Sequence, residues 1–149
     1  MSPFQDLIQH NIRAYGQHLV GVRGQEPGDI ESCYSVGNHQ FNLPELIFVG
    51  LSPRMVSDSL NTLCLIQRQR GVAFRDGELV NVGARYPVRI RDAGTAALES
   101  FAREAKNYYE SADIRLMQAI LCDRQGRYPD ESYCDDPFRW QPILGMIRH

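Results

Sequence analysis

Residues 33–54 read CYSVGNHQFNLPELIFVGLSPR, and the rest of the chain arranges itself around how that stretch divides. Cys33 to Val36 predicts a short strand. It breaks at Gly37 into a loop of hydrogen-bonding side chains, Asn38, His39, Gln40 and Asn42. Pro44 cannot donate to a ladder, which suits the first position of a second strand. Leu46, Ile47, Phe48 and Val49 form an apolar run without polar alternation, the pattern of a strand covered on both faces, and Gly50 closes it. Ser52-Pro53 then supplies an N-cap hydroxyl and a proline at the first helical position. Val56, Leu60, Leu63, Cys64 and Gln67 follow at helical spacing, with Arg68 and Arg70 in the last turn and Gly71 as the stop. Free backbone N–H groups at such a helix start attract anions, although most strand-to-helix junctions are purely structural.

Before this unit, Ser2-Pro3 with Gln5 reads as a capping box. Phe4, Leu7, Ile8, Ile12 and Tyr15 recur on one helical face, and Gly16 ends the helix. His18 to Val22 predicts a short strand, and Gly24 to Asp29, GQEPGD, a turn or exposed loop. After the unit, Asp76-Gly77 is a turn pair, and Glu78–Val82 and Tyr86–Ile90 read as two strands around Gly83. A second long helix is predicted from about Thr95 to Ser111, with Leu98, Phe101, Ala102, Ala105, Tyr108 and Tyr109 as its stripe. Ile114 to Leu121, IRLMQAIL, reads as a further strand. The segment from Cys122 onward has no regular period and carries Tyr128, Tyr133, Phe138 and Trp140. It is too aromatic for simple disorder and is expected to be an ordered loop packed over one edge of the domain.

At 149 residues with 43% hydrophobic and 23% charged content, the chain suits one globular domain. The expected fold is α+β: a mixed or antiparallel sheet of five to six strands packed with two to three helices, plus an irregular C-terminal tail. A formal charge of −2 argues against a nucleic-acid partner, and Arg85, Arg89 and Arg91 are expected to be solvated strand arginines. The start MSPFQDLIQH lacks the basic-then-apolar pattern of a signal peptide, and no apolar run approaches a membrane span. The cytoplasm is therefore the expected compartment. Cys33, Cys64, Cys122 and Cys134 form no C-x-x-C pair and are expected as reduced thiols, the first three inside apolar segments.

YSVG at 34–37, LPELIFVGLSP at 43–53, Asn61 in the following helix, DRQGRYP at 123–129 and QPILG at 141–145 occur in order along the chain. Together they resemble the bacterial domain-of-unknown-function 4262 family, from about Ile12 to Gly145. The resemblance implies a single α+β domain without an assigned reaction. The chain departs from the family pattern in three places. Asn42-Leu43 stands where the family has a histidine before its proline–glutamate–leucine piece, so the nearest imidazole is His39. Cys122-Asp123 replaces a proline–aspartate, and Asp130 replaces a tryptophan.

No G-x-S-x-G elbow, H-E-x-x-H pair or phosphate loop is present. The candidate chemical groups are His39 and Glu45 in the central stretch, Asn61, and Asp123, Arg127, Asp130 and Gln141 in the tail. His39, Glu45 and Asp123 are the catalytic candidates. Glu45 beside a buried strand must be paired, with Arg54, Arg127 or a backbone amide, and is more simply a clamp between strand and tail than a catalytic acid. Asp123, Asp130, Asp135 and Asp136 lack the regular spacing of a calcium loop, so solvated turns are preferred to a metal site. Neither a metal nor a cofactor is expected.

Two functional expectations follow. The first is a non-catalytic binding module in which the loop 38–42 and the aromatic tail form one cleft for a partner protein or a small polar, nucleotide-like ligand. Tyr34, Asn38, His39, Asn42, Arg127, Trp140 and Gln141 would line it. The second is a small hydrolase or transferase built from His39, Glu45, Asp123 and Arg127, which requires these groups to converge. A homodimer is compatible with either.

Overall fold

The computed structural model describes residues 2–24, 26–110 and 113–146. Six strands form one mixed sheet in the order β1-β2-β3-β6-β5-β4. They are β1 (His18–Val22), β2 (Ser32–Val36), β3 (Glu45–Val49), β4 (Leu79–Val80), β5 (Val88–Asp92) and β6 (Leu116–Ile120). The helices are α1 (Pro3–Tyr15), α2 (Pro53–Arg70), α3 (Ala96–Phe101) and α4 (Arg103–Tyr109). β3 and β6 run parallel at the centre, Glu45 opposite Leu116, while the other neighbours are antiparallel. The α+β single domain is thus observed, and its sheet is mixed.

The apolar run of β3 is explained by helices on both faces. Ile47 and Val49 pack with Ile8 and Ile12 of α1 and with Ala97, Leu98 and Ala105 of α3 and α4. Leu46 and Phe48 pack on the other face with Val56, Leu60, Leu63 and Cys64 of α2. All five β3 residues are buried. Full burial of a side chain of this size stabilises the fold by ~1.5–3 kcal/mol, and β2 and β6 beside it are buried along their whole length as well. Both long helices start as their sequences dictate. Ser2 and Gln5 form a capping box, Ser52 accepts from the Met55 N–H, and Gly16 and Gly71 close the helices in the left-handed region.

Two expectations need correction. The stripe of α1 is only half used: Ile8 and Ile12 are buried, whereas Phe4, Leu7 and Tyr15 are exposed. The helix expected from Thr95 to Ser111 is two short helices, broken at Ala102 (φ −129°, ψ 43°), and its expected end at Ser111 lies outside the described residues. No proline or glycine signals the break. It places the start of α4 against β2, where the Glu104 N–H donates to the Tyr34 hydroxyl at 3.1 Å. The tail is ordered, as expected, and is tied to β6 and β5. Gln141 bonds both backbone groups of Leu121, and Gln118 of β6 donates to the Pro142 carbonyl and accepts from the Leu144 N–H. The loop 24–29 is a turn, with Gln25 outside the described residues.

Among the described residues, no helix is long and apolar enough to cross a membrane. All four cysteines are free; Cys33, Cys64 and Cys134 are buried and Cys122 is half-buried.

Candidate functional site

At the leading end of β3 the chain turns through Gly37, whose φ of 136° favours glycine. A Cβ at Gly37 would also lie 2.7 Å from the Gly16 carbonyl oxygen, so the backbone of the α1–β1 connection approaches as closely as glycine permits. The turn aims three consecutive N–H groups at Glu45: Gly37 and His39 donate to Oε2 at 3.0 and 3.1 Å, Asn38 to Oε1 at 3.1 Å. The Ser35 hydroxyl donates to Oε1 at 2.8 Å and the Tyr109 hydroxyl to Oε2 at 3.0 Å. Such a nest of amides is an anion-binding concavity. Here the chain fills it with its own side chain.

Glu45 is fully buried, and neither arginine nor lysine is among these five donors. Burial pushes its carboxyl above the ordinary range, while the amide of His39, the Ser35 hydroxyl, the amide of Gly37 and the Tyr109 hydroxyl pull it back. Burial and the neighbouring carboxylate in turn push the Tyr109 hydroxyl upward. A carboxylate offers about four lone-pair positions, so five donors leave none for a substrate. Of the partners expected for Glu45, the backbone amides are the ones found, and the clamp ties β3 to the loop and to α4 instead of to the tail.

The other residues at this end are likewise engaged. Tyr34 is buried under α4. Asn38 donates from Nδ2 to the Pro44 carbonyl at 3.2 Å, while its buried Oδ1 has no partner. The His39 ring meets Tyr109 edge-on at 4.8 Å between centroids. Asn42 ends the loop in the left-handed region (φ 60°) and its carbonyl accepts from Arg115.

At the trailing end of β3, Gly50 (φ 91°) faces the tail, and a Cβ there would meet the Trp140 carbonyl oxygen at 2.7 Å. Asp123 organises the tail as Glu45 organises the loop. It accepts from the amides of Gln125, Arg127 and Asp135 at 2.9, 2.8 and 3.0 Å and from Arg127 Nε at 3.0 Å. Burial, the largest single influence, pushes this carboxyl up, but the amides and the guanidinium together outweigh it and hold the group at about 2. Asp130 pairs with Arg89, Asp135 with Arg127 and Asp136 with Arg139. Trp140 is 62% exposed, with the Arg139 guanidinium over its ring at 4.4 Å.

The expected single cleft does not form. Asn38, His39, Asn42 and Glu45 belong to the leading end of β3 and Tyr34 lies opposite its middle residue Ile47, buried, whereas Asp123, Arg127, Trp140 and Gln141 belong to the trailing end. A hollow of about 580 Å³ in the tail is lined by tail residues and Met55 alone. His39 and Glu45 therefore do not converge with Asp123 and Arg127.

A third place was not anticipated. A pocket of about 550 Å³ opens at the corner where α1, β1 and α2 meet, lined by Asn11, Tyr15, Gln17, His18, Leu19 and Asn61. Gln17 and His18 are each only 9% exposed. Gln17 donates to Asn61 Oδ1 at 2.9 Å and accepts from Arg68, and Asn11 Nδ2 meets His18 Nδ1 at 2.8 Å. Burial lowers the His18 pKa, favouring the neutral ring. Asn61 is one of the candidate chemical groups of the sequence and lies on α2. Gln17-His18, polar residues leading into a strand directly after a helix stop, were the remaining signal.

The chain matches, over residues 11–135, the family described as Domain of unknown function (DUF4262), and it belongs to that family. No curated protein and no solved structure matches it.

Proposed function

We propose that this family member is a non-catalytic binding module for a small polar ligand, held in the corner pocket of Asn11, Gln17, His18 and Asn61. The observation that carries this reading is a contrast in how polar groups are used. The acid–base candidates are consumed by the fold: Glu45 takes five internal donors, and Asp123 is occupied by three amides and Arg127. The corner pocket keeps polar atoms that the fold has positioned without filling the space between them. A hydrolase or transferase built on His39 and a carboxylate would need a free acceptor near the imidazole, and Glu45 does not offer one.

We place the protein in the cytoplasm of a bacterium or of a phage-infected cell, in keeping with the four free cysteines. A net charge of −2 gives no support to a nucleic-acid partner. A partner protein or a second copy would meet the exposed Phe4, Leu7 and Tyr15 of α1. Native mass spectrometry of the full chain after incubation with cell extract tests the reading. A retained small molecule that Asn61→Asp releases is the expected result. Turnover of ester or phosphoester substrates that is lost in His39→Ala would overturn it.

A further inference from the structure

Building on the binding-module reading, we infer that the corner pocket selects an uncharged planar heterocycle of the nucleobase type, read by an edge that carries a donor beside an acceptor. None of the six lining residues carries a carboxylate, ammonium or guanidinium, and the Arg68 guanidinium behind the wall is engaged by Gln17 Oε1 and the Tyr15 carbonyl, so recognition falls to neutral donors and acceptors. Its polar members come from three separate elements and hold one another in place. Gln17 Nε2 donates to Asn61 Oδ1, which fixes the Asn61 amide with its NH₂ as the remaining donor. Asn11 Nδ2 meets His18 Nδ1, which fixes the imidazole as the Nε2–H tautomer and leaves Asn11 Oδ1 as an acceptor.

Three positioned groups therefore remain for a ligand: an amide donor, an imidazole donor and an amide acceptor. Two donors with one acceptor complement the –NH–C=O or –N=C–NH₂ edge of a base, and the acceptor has no partner on a phosphate, which offers acceptors alone. Tyr15, 68% exposed on the rim, supplies a ring face for stacking, and Leu19 an apolar wall. Because the amides and the ring are already restrained, little side-chain entropy is lost on binding.

The test is titration of the full chain with adenosine, guanosine, cytidine and uridine, followed by calorimetry and amide NMR, with the 5′-monophosphates and inorganic phosphate in parallel. At least one nucleoside is expected to bind with a Kd below about 1 mM, its monophosphate no more tightly, and phosphate alone not at all. Asn61→Asp keeps the oxygen that Gln17 uses and replaces the donor by an anion. It is expected to weaken the same nucleoside at least about tenfold, the scale of one hydrogen bond to a charged or mismatched edge, with an unchanged melting temperature. Asn11→Ala, at a half-buried position, should weaken it as well. Binding that survives both variants, or that phosphate alone displaces, overturns the assignment. If the nucleosides fail while a different molecule from extract is retained and lost in Asn61→Asp, the ligand class is wrong and the binding-module reading stands. If nothing is retained, both fall.

Discussion

The two ends of β3 solve one problem with different chemistry. Each has a glycine at positive φ that lets a distant backbone approach within a side chain's width, Gly37 under the α1–β1 connection and Gly50 under the tail. Each has a buried carboxylate that gathers consecutive or neighbouring amides. Asp123 adds a guanidinium, and its pKa falls; Glu45 has only neutral donors, and its pKa rises. What separates them is reach. Glu45 opens a central strand, and its donors come from β2, the loop and α4 together, whereas the donors to Asp123 all come from its own tail.

The comparison breaks most severely at Glu45. Glu45→Ala orphans three amides and two hydroxyls. It is expected to cost at least about 3 kcal/mol, since each buried group left unpaired costs ~1–3 kcal/mol. Urea denaturation followed by circular dichroism measures it. The glycines come next. Gly37→Ala and Gly50→Ala each force a strained backbone against a fixed carbonyl, at ~1–3 kcal/mol. If the ends are equivalent, the two urea midpoints fall by similar amounts; a drop confined to Gly37→Ala would mean that the tail yields and the loop does not.

Tyr34→Phe removes the acceptor for the Glu104 N–H and is expected to cost ~1 kcal/mol, read as faster amide exchange at the start of α4. The smallest global effect belongs to Asp123→Asn. It should leave the sheet's unfolding midpoint nearly unchanged while Trp140, the single tryptophan, reports an earlier loosening of the tail by fluorescence.

Acidity sharpens the same contrast because the two carboxyls have opposite signs. Asp123, lowered from 3.8 to about 2, contributes stability above its ordinary value that disappears as pH falls through about 2. Glu45, raised above 4.5, contributes most in acid, and its contribution declines as pH climbs from 4.5 towards the folded value. Asp123→Asn should therefore flatten the loss of tail order between pH 3.8 and 2. Glu45→Gln should flatten the fall in urea midpoint above pH 4.5. Parallel profiles for the two variants would refute the contrast.

Much of the fold was legible because local signals agreed. The unbroken run Leu46–Val49 announced a strand covered on both faces, and Ser52-Pro53 and Gly71 marked both ends of α2. Glu45 could be identified as a carboxylate needing partners, since burial makes pairing obligatory. Which partners it takes depends on Tyr109, brought close by a break at Ala102 that no residue type signals. The site was misjudged for a related reason. Loop and tail look like neighbours only if the direction of β3 is ignored; the strand carries one end away from the other. The corner pocket depends on α1, β1 and α2 meeting, and residues 11, 18 and 61 share no periodicity.

The parallel pairing of β3 with β6 has a consequence for how the molecule is made. Glu45 is opposite Leu116, so the middle of the sheet stays open until β6, about 70 residues further along, has emerged from the ribosome. During that interval Leu46–Val49 is an apolar ribbon with one bare edge, the type of segment that associates with copies of itself. Messages truncated between the codons for Gly50 and Arg115 should thus yield insoluble product, and the arrival of β6 is the moment at which the nascent protein becomes safe from its siblings.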